Sequence, residues 1–427
     1  MTAEVAVLNR LGVALAADSA VTIGRDATKI FGSAEKLFQL SPSAPVGVMV
    51  YGNASFLGLP WETIIKTYRA QLGTTSFPSI ADHAKNLREY LTDNEALFPI
   101  ATHRRVTGIL VTALYGAIRK DLYERLNTEA EQRESLEDSD LPPIVEAVFE
   151  KRLADILKGS PIAGFDPSFI ALVTAFVEAE YEQWWVQVFE QLPFSDLAKE
   201  LARQVAVEML TRVYFGPMVG GVVVAGFGDS EFLPALVSFE VEEAALGRPR
   251  WREGSGSNIG EQGDASIIAF AQQEVVKQFL EGIDPALADH IYGSSASVLT
   301  GLVDLILQKL AEVDNEMAAT LASTLRPQLD DIKKGLQADW NARRRETAMP
   351  VVGIAATLPK DELAAMAESL VNLTKFRRRV TPERETVGGP IDVAVITKGD
   401  GFVWVRRKHY FDPALNPRVV ARLQGRT

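Results

Sequence analysis

The chain has 427 residues, 47% of them hydrophobic and 23% charged, with no cysteine and a formal net charge of −12. That length supports two or three domains with sizeable cores. The lack of cysteine excludes disulfides, thiolate catalysis and cysteine-bound zinc, and the acidic balance argues against nucleic acid or an anionic membrane as the main partner.

The opening residues carry neither the basic region nor the cleavage box of a secretory leader, so a cytoplasmic location is expected. "EVAVL" and "GVALAA" read as two short strands joined by the turn-forming "NRLG". "KLFQLS" and "VGVMVYG" read as a second hairpin around "SPSAP". From Ala54 the period becomes helical, in "FLGLPWETIIKTYRAQL" and then "SIADHAKNLREYLTDNEALF", with Ser79 as N-cap.

Residues 98–215 read as a helical block. Its polar "NTEAEQRESLEDSDLPP" is expected to be a surface loop, and Trp184 and Trp185 are expected to pack in a core or helix interface. The most apolar run, from Phe169, carries Glu178, Glu180 and Glu182, which makes bilayer insertion expensive. No membrane partner is expected.

Strand character returns in "GGVVVAGFG" and "PALVSFEVE". "PRWREGSGSNIGEQGDAS" reads as a Gly/Ser-rich loop with at most a short strand at its start. "SIIAFAQQEVVKQFLEG" reads as a helix beginning near Ala265 or Ser266. Residues 285–350 read as a second helical block, and "DELAAMAESLVNLTKF" as one more core helix, followed by a hairpin of "PIDVAVIT", a "KGDG" turn and "FVWVRRKHY". Strands and helices therefore come in blocks, which argues for antiparallel sheets with helices packed outside them and against a Rossmann-type parallel sheet.

The two opening hairpins have a chemical consequence. Centring the first turn on Arg10 places Thr2 opposite Asp18, and centring the second on Ser43 places Lys36 opposite Val50, close to Gly52. If the hairpins are neighbours, a hydroxyl, a carboxylate, an ammonium and a glycine N–H gather at one strand end. A threonine hydroxyl needs a base to act as nucleophile. The α-amine of a first residue, with a pKa of roughly 7.7–8.0, is such a base near neutrality. Met1 removal before the small Thr2 would expose it. A lysine favours the alkoxide, a carboxylate holds the lysine charged, and a glycine N–H can stabilise the oxyanion, a contact typically worth about 2.7–4 kcal/mol.

In these residues the chain resembles the proteasome β-subunit family, including the HslV-type and related bacterial proteasome-like proteins. The resemblance rests on Thr2, "AADSA" at 16–20, "EKLFQL" at 35–40 and "YGNAS" at 51–55, and on "ETVGGPIDVAVITKGDGFVWV" near the end. It covers about residues 2–75, 219–283 and 360–411. It implies Thr2 as nucleophile, Asp18 and Lys36 as the activating pair and Gly52 as oxyanion donor. A group near the threonine amine is supplied either by Ser255, in "GSGS", or by Asp264, and Glu385 offers the carboxylate that the family places before its paired glycines. Val387 stands where the family has a serine.

The resemblance further implies an α+β fold, a four-layer αββα sandwich (the N-terminal nucleophile hydrolase fold), here with two large helical insertions. The expected division is 1–97, 216–284 and 351–427 for the core and 98–215 and 285–350 for the insertions. The expected activity is that of a threonine-type peptidase working through an acyl-Thr2 intermediate. A small-amide hydrolase, a transpeptidase or ligase, and a non-catalytic scaffold subunit are the alternatives. No cofactor or metal is expected: the four histidines, His83, His103, His290 and His409, show no ligand spacing. The expected partners are a peptide or protein substrate, further copies of the chain in a ring-shaped homo-oligomer, and an ATP-driven unfoldase. The chain itself has no Walker phosphate-binding loop.

Overall fold

The structure, a computed structural model, describes all residues except 1, 24–28, 93, 133–136, 191–193, 217–218, 382–386 and 424–427. The first strands are β1 (Ala3–Asn9), β2 (Gly12–Ala17), β3 (Val21–Ile23), β4 (Lys29–Phe31), β5 (Leu37–Gln39), β6 (Val46–Gly52), β7 (Ser55–Phe56) and β8 (Leu59–Pro60). The α-helices that follow among the described residues are α1 (Trp61–Leu72), α2 (Ile80–Thr92), α3 (Ile100–Gln132), α4 (Leu141–Leu157), α5 (Pro167–Phe189) and α6 (Asp196–Thr211). Then come β9 (Gly220–Gly226), β10 (Ala235–Ala245), β11 (Arg248–Asn258), β12 (Ala265–Ala271), α7 (Glu274–Glu281), α8 (Pro285–Ala311), α9 (Asn315–Ala355) and α10 (Lys360–Val380). The chain ends in β13 (Asp392–Thr397), β14 (Gly401–Arg406) and α11 (Pro417–Leu423). The architecture is α+β with antiparallel sheets, and the chain divides into two compact units.

One unit comprises residues 1–37, 232–234 and 258–427. Its five-stranded sheet has the order β12-β1-β2-β13-β14, every pair antiparallel. The alternation of β1 sends Ala3, Val5 and Val7 into a core with Ala14, Ala16, Val393 and Val395, closed by Leu363, Ala367, Leu370 and Val371 of α10. The even positions Glu4, Ala6 and Leu8 take the other face and are also buried. α8 and α9 pack on one another. α8 is the one helix among the described residues long and apolar enough to cross a bilayer by length and composition, and little of it is buried.

The other unit comprises residues 38–231 and 235–257. Its sheet has the order β11-β10-β9-β6-β5, the chain passing from one unit to the other at the start of β5. α1 and α2 bury Trp61, Ile64, Ile65, Leu87 and Leu91 against Val222, Val224 and Phe239 of this sheet. Ser79 caps α2 by accepting from Asp82 N–H at 3.1 Å. α3 to α6 form their own core around Trp185, Phe149, Phe189 and Tyr115. Trp184 and Trp185 are buried there, as their helical spacing predicted.

Several local expectations need correction. The first hairpin pairs Asn9 with Gly12 and Glu4 with Ala17, one residue out of the expected register. Its turn holds only Arg10 and Leu11, and the Asn9 side chain accepts from Leu11 N–H at 2.9 Å, closing the turn one step later. The two opening hairpins are not neighbours in one sheet: β1–β2 and β5–β6 lie in separate sheets. The Gly/Ser-rich stretch is the eleven-residue strand β11. "ASIIAFA" is strand β12 paired with β1, and the helix begins only at Glu274. The second helical block extends to Ala355, with Pro327 and Pro350 inside α9.

Candidate active site

Thr2 directly precedes β1, and Asp18 directly follows β2. The pairing of those strands brings them together. Asp18 N–H donates to the Ala3 carbonyl at 3.1 Å, and Ala3 N–H donates to Asp18 Oδ1 at 3.2 Å. The Asp18 carboxylate is wholly buried and takes four donors. Oδ1 accepts from Ala3 N–H and from Lys36 Nζ at 2.5 Å, and Oδ2 accepts from Ala20 N–H at 3.2 Å and Gly388 N–H at 2.8 Å. Full satisfaction of both oxygens is what permits a carboxylate to be buried.

Lys36 is 5% exposed and lies on the segment that enters β5. Its ammonium is bound to Asp18 and lies 3.4 Å from Glu4 Oε1. Glu4 sits two residues beyond Thr2 on β1, hence on the same face. Burial pushes the Glu4 carboxyl up to about 8; Lys36 opposes the rise, Asp18 adds to it, and the neighbouring Thr2 side chain opposes it. Hydroxyl, carboxyl, ammonium and carboxylate thus form one contiguous buried group: Thr2 with Glu4, Glu4 with Lys36, Lys36 with Asp18.

The paired glycines near the C-terminal hairpin join this group. Gly388 N–H closes on Asp18, and Ser19 N–H donates to the Gly388 carbonyl at 3.2 Å. Gly389 adopts φ +73°, and a Cβ there would lie 2.8 Å from the Gly32 carbonyl oxygen, so that position suits only glycine. Val387 is buried in the core beneath α10, so an apolar contact fills the place where a hydroxyl was sought.

Asp264 is corrected: it precedes β12 and pairs with Arg10 at 2.8 Å, both exposed. Because Asn9 faces Ala265 and Ala3 faces Ala271, Asp264 stands at the opposite end of β1 from Thr2. At ~3.3 Å per residue that is roughly 25 Å away. Alignment on a helix start at Ala265 placed it wrongly, because that segment is a strand. Gly52 and Ser255 belong to the other unit. Gly52 ends β6 at φ +74°, where a Cβ would lie 2.5 Å from the Val219 carbonyl oxygen. Ser255 is exposed on β11, and its carbonyl accepts from the Ser238 hydroxyl at 2.6 Å. Glu385 lies outside the described residues.

Glu4 escaped the sequence reading. Its signal was a single acidic residue inside the apolar run "AEVAVL", on the face shared with Thr2.

Among solved structures, the chain is similar to the Anbu (Gly-1) mutant from Hyphomicrobium sp. strain MC1. The identity is 11%, over 100% of this chain and 96% of that one, with a TM-score of 0.29. At that level of superposition the likeness carries no argument about function. No protein-family model matches the chain. No curated protein matches it either.

Proposed function

We propose that the chain is an N-terminal threonine hydrolase that cleaves amide bonds, peptides foremost, through an acyl-Thr2 ester. The supporting observation is the buried line of contacts from Thr2 through Glu4 and Lys36 to Asp18, with Lys36 held 2.5 Å from the Asp18 carboxylate. In the first half-reaction the Thr2 oxygen bonds to the amide carbon as its proton leaves to a nearby base. The carbon–nitrogen bond then breaks and the amine departs with a proton. Water attacks the ester and regenerates the hydroxyl. The Thr2 α-amine, once Met1 is removed, is one group with the basicity to take that proton. Lys36 stabilises the negative charge that grows on the threonine oxygen, and Asp18 keeps the ammonium in place.

One observation favours a second reading. Thr2 is 4% exposed, so a substrate carbonyl must gain access before attack. A non-catalytic scaffold has no such requirement. The discriminating experiment is release of a fluorescent amine from a panel of short acyl-peptide amides. Wild type should hydrolyse at least one of them, and Thr2→Ala should hydrolyse none while keeping its circular dichroism. Hydrolysis that survives Thr2→Ala refutes the assignment.

A further inference from the structure

Glu4 is the one member of the buried group that the proposed reaction does not yet use. It is wholly buried in a strand of alanine, valine and leucine, and neither side-chain oxygen has a well-aligned hydrogen-bond partner. A carboxyl buried in that state is costly and contributes nothing to packing that alanine or valine would not. Its strand neighbours, Ala17 on β2 and Phe270 on β12, are uncharged. α10 packs on the other face of β1, against Ala3, Val5 and Val7. Among the described residues, the charged groups that bear on Glu4 are Lys36, from the segment entering β5, and Asp18, just beyond β2.

Asp18 cannot play the part of proton acceptor. Both of its oxygens are saturated by three backbone N–H groups and Lys36. Glu4 retains unused lone pairs and lies beside the Thr2 side chain. Lys36, 3.4 Å from Glu4 Oε1, favours its ionised form without tying it up in an aligned hydrogen bond.

Resting on the Thr2 reading, we propose that Glu4 is a further catalytic residue, the general base that takes the proton from the Thr2 hydroxyl. As the Thr2 oxygen bonds to the acyl carbon, its proton passes to a Glu4 oxygen. When the carbon–nitrogen bond breaks, Glu4 returns that proton to the departing amine. In deacylation Glu4 takes a proton from water and gives it back to the Thr2 oxygen. Protons balance at every step, and no co-reactant is needed. The elevation of the carboxyl to about 8 suits this role, because a base of that strength exchanges protons readily near neutrality. A base within the strand also frees acylation from dependence on the α-amine.

The test follows acylation of the full chain by a β-lactone probe, with intact-mass detection, from about pH 5.5 to about pH 9.5. In wild type the rate should rise about tenfold per pH unit and level off near pH 8. Glu4→Gln, which keeps the shape of the neutral carboxyl, should slow acylation by about a hundredfold or more at pH 8 and flatten the rise. Glu4→Asp should restore part of the rate and the rising limb. A labelled wild type whose Glu4→Gln variant acylates as fast, with the same limb, overturns the proposal and leaves the amine as base. A wild type that takes no label at Thr2 overturns the Thr2 reading and this proposal with it.

Discussion

Replacing Asp18 by asparagine isolates the interaction on which the buried group depends. The carboxylate takes two donors on each oxygen, three backbone N–H groups and the Lys36 ammonium. An asparagine amide has one acceptor oxygen, so in either orientation its NH2 group faces two donors. The substitution also removes the anion paired with Lys36, leaving an ammonium that is 5% exposed with only Glu4, 3.4 Å away, as counter-charge. Removing one partner of a buried pair costs about 3–5 kcal/mol. Two compact units need not unfold together, so a single global transition is the wrong readout. Hydrogen exchange of the β1, β2 and β13 amides reports the affected sheet directly. Their protection should fall between about a hundredfold and a few thousandfold. The fall should be largest below about pH 8, where Glu4 is neutral. Protection unchanged to within about threefold would refute the reasoning, since it would place the pair's worth below ~1 kcal/mol.

Glu4→Gln should alter the pH dependence of stability. The folded carboxyl titrates at about 8 against an ordinary 4.5, so between those values the native chain holds a proton that the unfolded chain has released. Its contribution to stability is therefore full below pH 4.5 and falls as pH rises toward 8, by about 1.4 kcal/mol per unit. The glutamine variant should lose that slope in the hydrogen-exchange protection of the β1 and β2 amides and exceed wild type in protection at pH 8; an unchanged slope would show that Glu4 titrates normally. In the other unit, Arg250 is fully buried, paired with Glu242 at 2.5 Å and bonded to the Met209 and Tyr214 carbonyls. Arg250→Ala should cost about 3–5 kcal/mol by stranding the Glu242 carboxylate. Hydrogen-exchange protection of the β9 and β10 amides equal to wild type would contradict that.

The parts legible in the sequence were those governed by short-range pattern. "EVAVL–NRLG–VALAA" announces a tight hairpin, and a tight hairpin keeps Thr2 and Asp18 together even when the register shifts by one. Lys36 was legible as a residue but not by its route. It comes from the lead-in to a strand of the other sheet, not from a neighbouring hairpin. What failed depended on tertiary pairing. "REGSGSN" has the composition of a loop and becomes strand because β10 is there to pair with it. "ASIIAFAQQEVVKQF" mixes a strand and a helix in one apolar run, and periodicity alone does not divide it between Ala271 and Glu274. That error carried Asp264 to the wrong end of β1. The second helical block was expected to end at residue 350, but α9 continues through Pro350 to Ala355. Glu4 was visible but silent, because a lone acid in an apolar strand acquires meaning only when its neighbours in space are known.

The central claim is that the Thr2 oxygen is the nucleophile, set off by the Lys36–Asp18 pair. Peptide mapping by tandem mass spectrometry after β-lactone treatment tests it most directly. The account predicts one acyl group, on Thr2 of a chain lacking Met1, and its loss in a folded Lys36→Met variant. An adduct on any other residue, or equal labelling of Thr2 with Lys36 removed, would contradict it.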